Sequence, residues 1–180
     1  MMRMTPAARR SSGGGPARAG RDECRPPLVP SDLDDLELEG LADHDGWSER
    51  AITGSAVAAD AEHIEIARGT IRGVRFTAAQ LRRVELTDLV VTDCDFSGAV
   101  FEELSAERVS FVGCRFDGAD LGGASLIDVS FSECQLNEVG MRMARAERLV
   151  VRDSSAVGID LYRAWLNASR WHDSDLTGAQ

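Results

Sequence analysis

An apolar residue, usually a large one, stands at every fifth position through most of this chain. From Ile66 to Leu176 all 23 positions of this register are apolar, and all six phenylalanines fall in it. With 43% apolar residues overall, chance would give such a register on the order of once in 10⁸ trials. A period of five fits neither the ~3.6-residue period of a helix nor the two-residue alternation of a strand. The pattern requires a chain that turns a corner every five residues.

A second column of residues lies two positions before each large apolar one. From Ile64 to Ser174 this column contains only small or apolar residues. Every charged residue from Glu65 onward falls in the remaining three columns. Each unit of five therefore turns one large and one small side chain inward, and directs three side chains outward.

Several of these units have a recognisable sequence. Cys94–Gly98 reads CDFSG, Ala119–Gly123 reads ADLGG and Ser174–Gly178 reads SDLTG. They resemble the pentapeptide repeat family, whose consensus is A-(D/N)-L-x-x, and the resemblance covers residues 64–180. It implies an all-β fold, a right-handed quadrilateral β-helix with four pentapeptides in each coil. In such a solenoid, residues 20 apart stack.

The chain before the repeat divides into two segments of opposite charge. Residues 1–30 are rich in Gly, Pro and Ser and carry six arginines against two acids, a composition typical of a disordered tail or of a misplaced translation start. Residues 31–63 carry ten acids against one arginine. Leu33, Leu36, Leu38 and Leu41 are irregularly spaced among the acids, and Trp47 and Ile52 are out of phase with the later register. This arrangement predicts an irregular acidic cap over the first coil.

Three cysteines, Cys94, Cys114 and Cys134, stand 20 residues apart in the small inward column. A metal ladder or disulfides are the functional alternatives. However, stacked parallel side chains lack disulfide geometry, and no histidine shares the column to complete a metal site. We expect three small core residues. Cys24, in the predicted tail, is expected to be an exposed thiol.

Two outward columns carry patterned charge. One alternates in sign and is expected to form ion pairs between coils: Asp88, Arg108, Asp128 and Arg148. The other contains Gly113 and is otherwise acidic: Asp93, Glu133, Asp153 and Asp173. Three valines are expected to project outward near the acidic column: Val90, Val112 and Val150. These acids and valines form our candidate interaction surface; the alternative is plain solubilising surface.

The sequence offers no candidate catalytic, cofactor-binding or metal-binding residues. It lacks the common nucleophile, phosphate-loop and metal motifs, and a filled β-helix has no pocket in which to desolvate an acid or base. The net charge of −10 disfavours direct binding to nucleic acid or to an anionic membrane. No secretory signal or membrane span is present. We therefore expect a non-enzymatic cytoplasmic protein, and the arginine-, alanine- and glycine-rich composition suggests a bacterial source.

A scaffold for an unknown protein partner is the function that these features favour. The resemblance implies an alternative, a DNA mimic that modulates or protects a type II topoisomerase, DNA gyrase. Against it, residues 65–180 carry 18 acids and 13 arginines, far below the charge density of duplex DNA. A resistance or effector role in a specialised gene cluster stays open. The open C-terminal coil predicts a homodimer through that end.

Overall fold

The computed structural model describes residues 23–55 and 60–180, and these residues contain strands but no helix. The predicted tail lies outside the described residues up to residue 22. The strands, in chain order, are β1 Asp34–Leu38, β2 Gly46–Ser48, β3 Arg50–Gly54, β4 Asp60–Arg72, β5 Gln80–Thr92, β6 Val100–Val112, β7 Ser125–Ser132, β8 Arg145–Glu147, β9 Val150–Arg152, β10 Trp165–Asn167 and β11 Arg170–His172. All of their pairings are parallel.

Strands from β4 onward pair in the predicted 20-residue register. One column runs through the whole repeat by direct pairing: Glu65, Glu85, Ser105, Ser125, Arg145 and Trp165. A parallel ladder of this kind places neighbouring coils about 4.8 Å apart. The predicted β-helix of stacked coils is confirmed.

The chain turns at one fixed position in every unit of five. Every fifth residue from His63 to Gly178 has a positive φ, so each 20-residue coil has four corners. Most corner residues are not glycine, although a left-handed backbone is unfavourable for a residue with a Cβ. Backbone hydrogen bonds between coils hold these corners: the amide of Asp93 donates to the carbonyl of Val112 (3.0 Å), and that of Gly113 to Ser132 (2.9 Å).

The predicted inward columns fill the interior. Phe76, Phe96 and Phe116 stack in successive coils, with ring centroids 5.1 and 4.7 Å apart. Phe111 and Phe131 stack on the adjoining side at 4.9 Å, and each meets Phe116 edge to face. All five rings are at most 6% exposed. The axis of the β-helix is therefore packed with side chains rather than hollow.

Strands β1–β3 extend the β-helix before residue 64. Strands β2 and β3 pair with β4 at an offset of 19 residues, which stacks Trp47 on Ile66 and Ile52 on Ile71. Strand β1 pairs with β3 at an offset of 16, which stacks Leu36 on Ile52. Residues 34–54 thus extend the stack as paired strands in shorter coils. The 19-residue offset of β2 and β3 explains why Trp47 and Ile52 are out of phase with the later register.

The short cap coil lies very close to the next coil at one inward glycine. A Cβ added at Gly69 would clash with the backbone oxygen of Arg50. Later coils place larger residues in the same column, such as Leu89 and Val109. Gly69 therefore permits the change from 19-residue to 20-residue register.

Candidate functional site

The predicted acidic column occupies one corner of the β-helix. Its four acids are exposed and have positive φ. Asp93 lies 3.9 Å from the Arg72 guanidinium, and its carboxylate covers Gly113 in the next coil, 2.9 Å from the position of an added Cβ. We call the column of Asp93, Gly113, Glu133, Asp153 and Asp173 the acidic corner. It presents a row of carboxylates along the axis of the β-helix, interrupted at Gly113.

The three predicted valines lie beside the acidic corner without forming a continuous strip. Val90 and Val150 belong to one column, but Ser110 and Ser130 separate them and hydrogen-bond to each other at 3.1 Å. Val112 belongs to another column of the same face and stacks between Thr92 and Ser132. All three valines are half-buried. This part of the candidate surface is therefore mixed in polarity.

The charged column of alternating sign forms two ion pairs, as expected, one buried and one partly buried. Arg108 binds Asp88 through two hydrogen bonds of 2.6 and 2.8 Å, and Arg148 binds Asp128 in the same way at 2.7 and 2.9 Å. The Asp128 side chain is 1% exposed and that of Arg148 10%. We call the column of Arg68, Asp88, Arg108, Asp128 and Arg148 the alternating corner. The burial of Asp88, Asp128 and Arg148 in this column was not foreseen from the sequence.

The N-terminal segment also contacts the two carboxylates of these ion pairs. Residues 23–30, which we name the strap, belong to the predicted disordered tail, but in the structure they lie along the alternating corner. The backbone amide of Arg25 donates to Asp128 Oδ1 and that of Leu28 to Asp88 Oδ1, both at 2.9 Å. The predicted boundary between tail and cap at residue 30 therefore lies at the end of a segment that is docked on the β-helix.

These contacts lower the pKa values of both carboxyls. At Asp88 the main cause is the hydrogen bond from Arg108, which together with the amide of Leu28 outweighs desolvation. At Asp128 desolvation is the largest effect and raises the pKa, but the hydrogen bonds from Arg148 and the amide of Arg25 outweigh it. Both groups are therefore held in the charged form that the arginines and the strap require.

The cysteines of the repeat lie in the core as predicted. Cys94, Cys114 and Cys134 are free thiols, each at most 2% exposed. Their Sγ atoms lie 3.4, 3.5 and 3.3 Å from the carbonyl oxygens two residues earlier. In the next coil Ser154 donates to a carbonyl in the same way (2.7 Å). The thiols and the hydroxyl of this column thus find backbone carbonyl acceptors inside the coil.

Cys24 differs from the expectation of an exposed thiol. It lies in the strap and is half-buried. Burial, assisted by the nearby Asp128 carboxylate, raises the pKa of its thiol to about 11. Docking of the strap therefore shields the Cys24 thiol from solvent and disfavours its reactive thiolate form.

Sequence reasoning missed a surface that combines arginine and aromatic residues. Trp165, Tyr162 and Met143 are 55%, 56% and 61% exposed. Arg142 and Arg163 lie over the Tyr162 ring at 6.0 and 5.3 Å from its centroid. We call these residues, with Arg145, the Arg–aromatic patch: Arg142, Met143, Arg145, Tyr162, Arg163 and Trp165. The 20-residue offset between Arg142–Arg145 and Tyr162–Trp165 could have revealed it.

The patch surrounds an open groove, whereas the interior has almost no free space. The groove has a volume of about 580 Å³ and is lined by Met143, Arg145, Arg163 and Trp165. The cavity inside the coils measures about 40 Å³ and has an entirely apolar lining. Within residues 23–55 and 60–180, no group of three or more His, Cys, Asp or Glu residues could hold a metal ion. None of these residues belongs to a helix that could cross a membrane.

Part of the chain matches a known repeat family, and several solved structures are similar to it. Residues 107–142 match the model of the pentapeptide repeats, with eight copies. Among solved structures, a trypsin-treated variant of QnrB1, a plasmid-mediated fluoroquinolone resistance protein, is 17% identical with a TM-score of 0.43, covering 82% of this chain and 91% of its own. HetL from the cyanobacterium Nostoc, involved in heterocyst differentiation regulation, is 14% identical with a TM-score of 0.42, covering 76% and 85%. No curated protein sequence matches.

The repeat extends well beyond the matched residues. The 20-residue pairing is unbroken from Asp60 to His172, and the corner at every fifth residue continues to Gly178. The matched units lie in the middle of this register. Residues 107–142 of this β-helix therefore carry pentapeptide repeats, and the same register continues on both sides of them.

Proposed function

We propose that this protein is a non-enzymatic scaffold of the bacterial cytoplasm that binds a protein partner through the outer surface of its β-helix. The Arg–aromatic patch is the observation that carries this proposal. Met143, Tyr162 and Trp165 of the patch are more than half exposed, whereas most other large apolar side chains of the described residues are buried inside the coils. Exposure of Trp and Tyr beside arginines is typical of the residues that dominate protein interfaces.

The chemistry of the patch favours an acidic partner segment. Arg145 and Arg163 line the groove beside Trp165, so a bound chain would meet guanidinium groups and an aromatic ring together. Arg142 is paired with Asp160, which holds that arginine beside Tyr162. An acidic segment with an apolar side chain would gain both charge complementarity and apolar burial.

The filled interior supports a binding role over catalysis. Catalytic acids and bases work in concave sites that exclude water, and the cavity within the coils is small and apolar. The groove at the patch is open to solvent and is lined by arginines, Met143 and Trp165. These side chains suit recognition better than proton transfer.

Removal of the two aromatic rings is expected to weaken partner binding at least tenfold. In affinity capture from the native cell, the double variant Tyr162→Ala/Trp165→Ala should capture at least ten times less partner than the wild type. The reason is that truncating central aromatic residues of an interface costs about 2 kcal/mol or more of binding free energy. Val157→Ala is the matched control, since Val157 is 37% exposed but lies outside the patch. Equal capture of the same partner by the double variant would contradict the proposal.

A second candidate function is modulation of a type II topoisomerase through the acidic corner. The exposed carboxylates of this corner form a column along the axis, as a DNA mimic needs. Successive coils are about 4.8 Å apart, whereas duplex DNA carries one charge per ~1.7 Å. Mimicry is therefore restricted to this one corner.

Neutralisation of the acidic corner tests this second function. If the corner mimics DNA, wild-type protein at micromolar concentration should change DNA gyrase supercoiling or its sensitivity to a quinolone, and the variant Asp93→Asn/Glu133→Gln/Asp153→Asn/Asp173→Asn should not. Glu102→Gln, which changes an exposed acid in another column, is the control. No effect of the wild type would exclude gyrase as a target.

The predicted homodimer through the C-terminal coil stays a prediction. Inward side chains there are half-buried, among them Leu161, Leu166, Trp171 and Leu176. Their counterparts one coil earlier are buried, as Val151 and Ala156 show.

A further inference from the structure

The strap is bound to the alternating corner in a regular way. Its two amide donors, those of Arg25 and Leu28, are three residues apart and reach Asp128 and Asp88, respectively. These two carboxylates lie in coils separated by one intervening coil, that of Arg108. Two coil spacings amount to about 9.6 Å.

The donors of the strap match the acceptors of the corner position by position. Between the two bonded amides lie Pro26 and Pro27, which have no N–H to donate. Between the two carboxylates lies Arg108, whose guanidinium cannot accept a hydrogen bond. Each donor therefore has an acceptor, and the coil without an acceptor faces residues without a donor.

The length of the segment fits as well as its pattern of donors. Consecutive prolines favour the polyproline II conformation, which rises about 3.1 Å per residue. Three residues then span about 9.3 Å, close to the two coil spacings. A helical segment of three residues would span only about 4.5 Å, so the corner selects an extended chain.

Most of this recognition uses the backbone of the strap. The Leu28 side chain is 68% exposed, and those of Arg25 and Pro26 are also exposed. Both carboxylates are fixed by their arginines and point at amides that any residue except proline supplies. The corner therefore recognises an extended shape and two amide positions rather than the side chains of this one segment.

We propose that the alternating corner is a recognition site for an extended, proline-containing peptide with two amide donors three residues apart, and that the strap occupies this site until a partner peptide displaces it. This site lies on a different corner from the Arg–aromatic patch and does not depend on the scaffold function proposed for that patch. A tethered strap acts at an effective concentration of about millimolar, so a partner peptide must compete with it.

Release of the strap can be measured in the full chain. Arg25→Pro/Leu28→Pro removes both donors and keeps the segment extended, whereas Val29→Pro keeps both donors and is the control. In the released chain the Cys24 thiol loses its burial, and its pKa falls from about 11. A return to an ordinary pKa raises the thiolate fraction at pH 8 about a hundredfold, while lower basicity costs about tenfold in nucleophilicity. Alkylation of Cys24 should therefore be at least tenfold faster in the double variant only.

Binding of a peptide then tests recognition itself. The probe is a fluorescent synthetic peptide of residues 23–31, with serine in place of Cys24, measured by anisotropy. It should bind the double variant at least tenfold more tightly than it binds the wild type or Val29→Pro, whose own straps compete. The same peptide with proline at both donor positions should bind at least tenfold more weakly.

Three results would overturn the proposal. Unchanged Cys24 alkylation in the double variant would show that the two amides do not hold the strap. Fast alkylation without peptide binding would show that the vacant corner recognises nothing. A wild-type dimer that dissociates in the double variant, measured by sedimentation, would assign the corner to the strap of a second copy instead of a partner peptide.

Discussion

Asp128→Asn is expected to lower the free energy of unfolding by about 3 kcal/mol, since breaking a buried ion pair typically costs 3–5 kcal/mol. The substitution leaves the shape of the side chain but removes the charge that faces Arg148. Both side chains are buried, with 1% and 10% exposure, so water cannot replace the lost partner. Arg148 keeps its contact with Glu147, which places the loss at the lower end of this range. Urea denaturation followed by circular dichroism measures it.

A matched exposed pair provides the control. Arg82 and Glu102 lie 3.9 Å apart, and their side chains are 60% and 63% exposed. Glu102→Gln should change stability by less than about 0.5 kcal/mol, because exposed pairs contribute little. Equal stability of Asp128→Asn and the wild type would contradict the structural role of the alternating corner.

The difference between Asp128→Asn and wild type should also depend on pH. The lowered pKa of Asp128 means that its contribution is complete above the unfolded value of about 4 and is lost as the pH falls through the lower native value. Below that value Asp128 is neutral in both states and resembles asparagine. The stability difference should therefore shrink as the pH falls below about 4, and a difference independent of pH would contradict the ion pair.

Phe116→Ala is expected to lower the free energy of unfolding by about 4 kcal/mol, within the range for truncating a buried phenylalanine. Phe116 is 2% exposed and contacts three other rings, Phe96 at 4.7 Å and Phe111 and Phe131 at 5.2 and 5.5 Å. Alanine would leave a cavity at the centre of the β-helix, where the stacked coils limit how far neighbouring side chains can move in to fill it. The same urea denaturation measures the loss.

Phe116→Leu is the matched control, because leucine keeps an apolar side chain at this position and leaves a smaller cavity than alanine. Leucine occupies the same column one coil later, at Leu136, so the coil accepts its shape. We expect a loss of about 1–1.5 kcal/mol. If the alanine variant were no less stable than the leucine variant, the axis of the β-helix would not be filled as described.

The regular part of the fold could be predicted because its cause is local and repeated. Each unit of five solves the same packing problem, so the apolar register ending at Leu176 specifies the corners and the 20-residue stacking. The ion pairs of Asp88 and Asp128 followed from that stacking. The buried cysteines followed from their place in the small inward column.

The remaining features depend on contacts that no period encodes. Trp47 and Ile52 stack inward at an offset of 19, and the loss of one residue hides them from a strict five-residue register. The strap composition resembles a disordered tail, because its binding uses backbone amides and two prolines rather than apolar side chains. The Arg–aromatic patch required comparison of outward columns between coils, beginning with Tyr162 and Arg142.

Every surface described above depends on residues 20 apart lying in adjacent coils, so the distance along one column is the most direct test. In a Cys24→Ser background, nitroxide labels at Glu65→Cys and Trp165→Cys mark the two ends of the column that pairs through five coil spacings. The three remaining cysteines are at most 2% exposed and should stay unlabelled. Pulsed electron–electron double resonance should give a distance near 24 Å. A main distance beyond about 35 Å, more than seven coil spacings, would contradict the stacked β-helix.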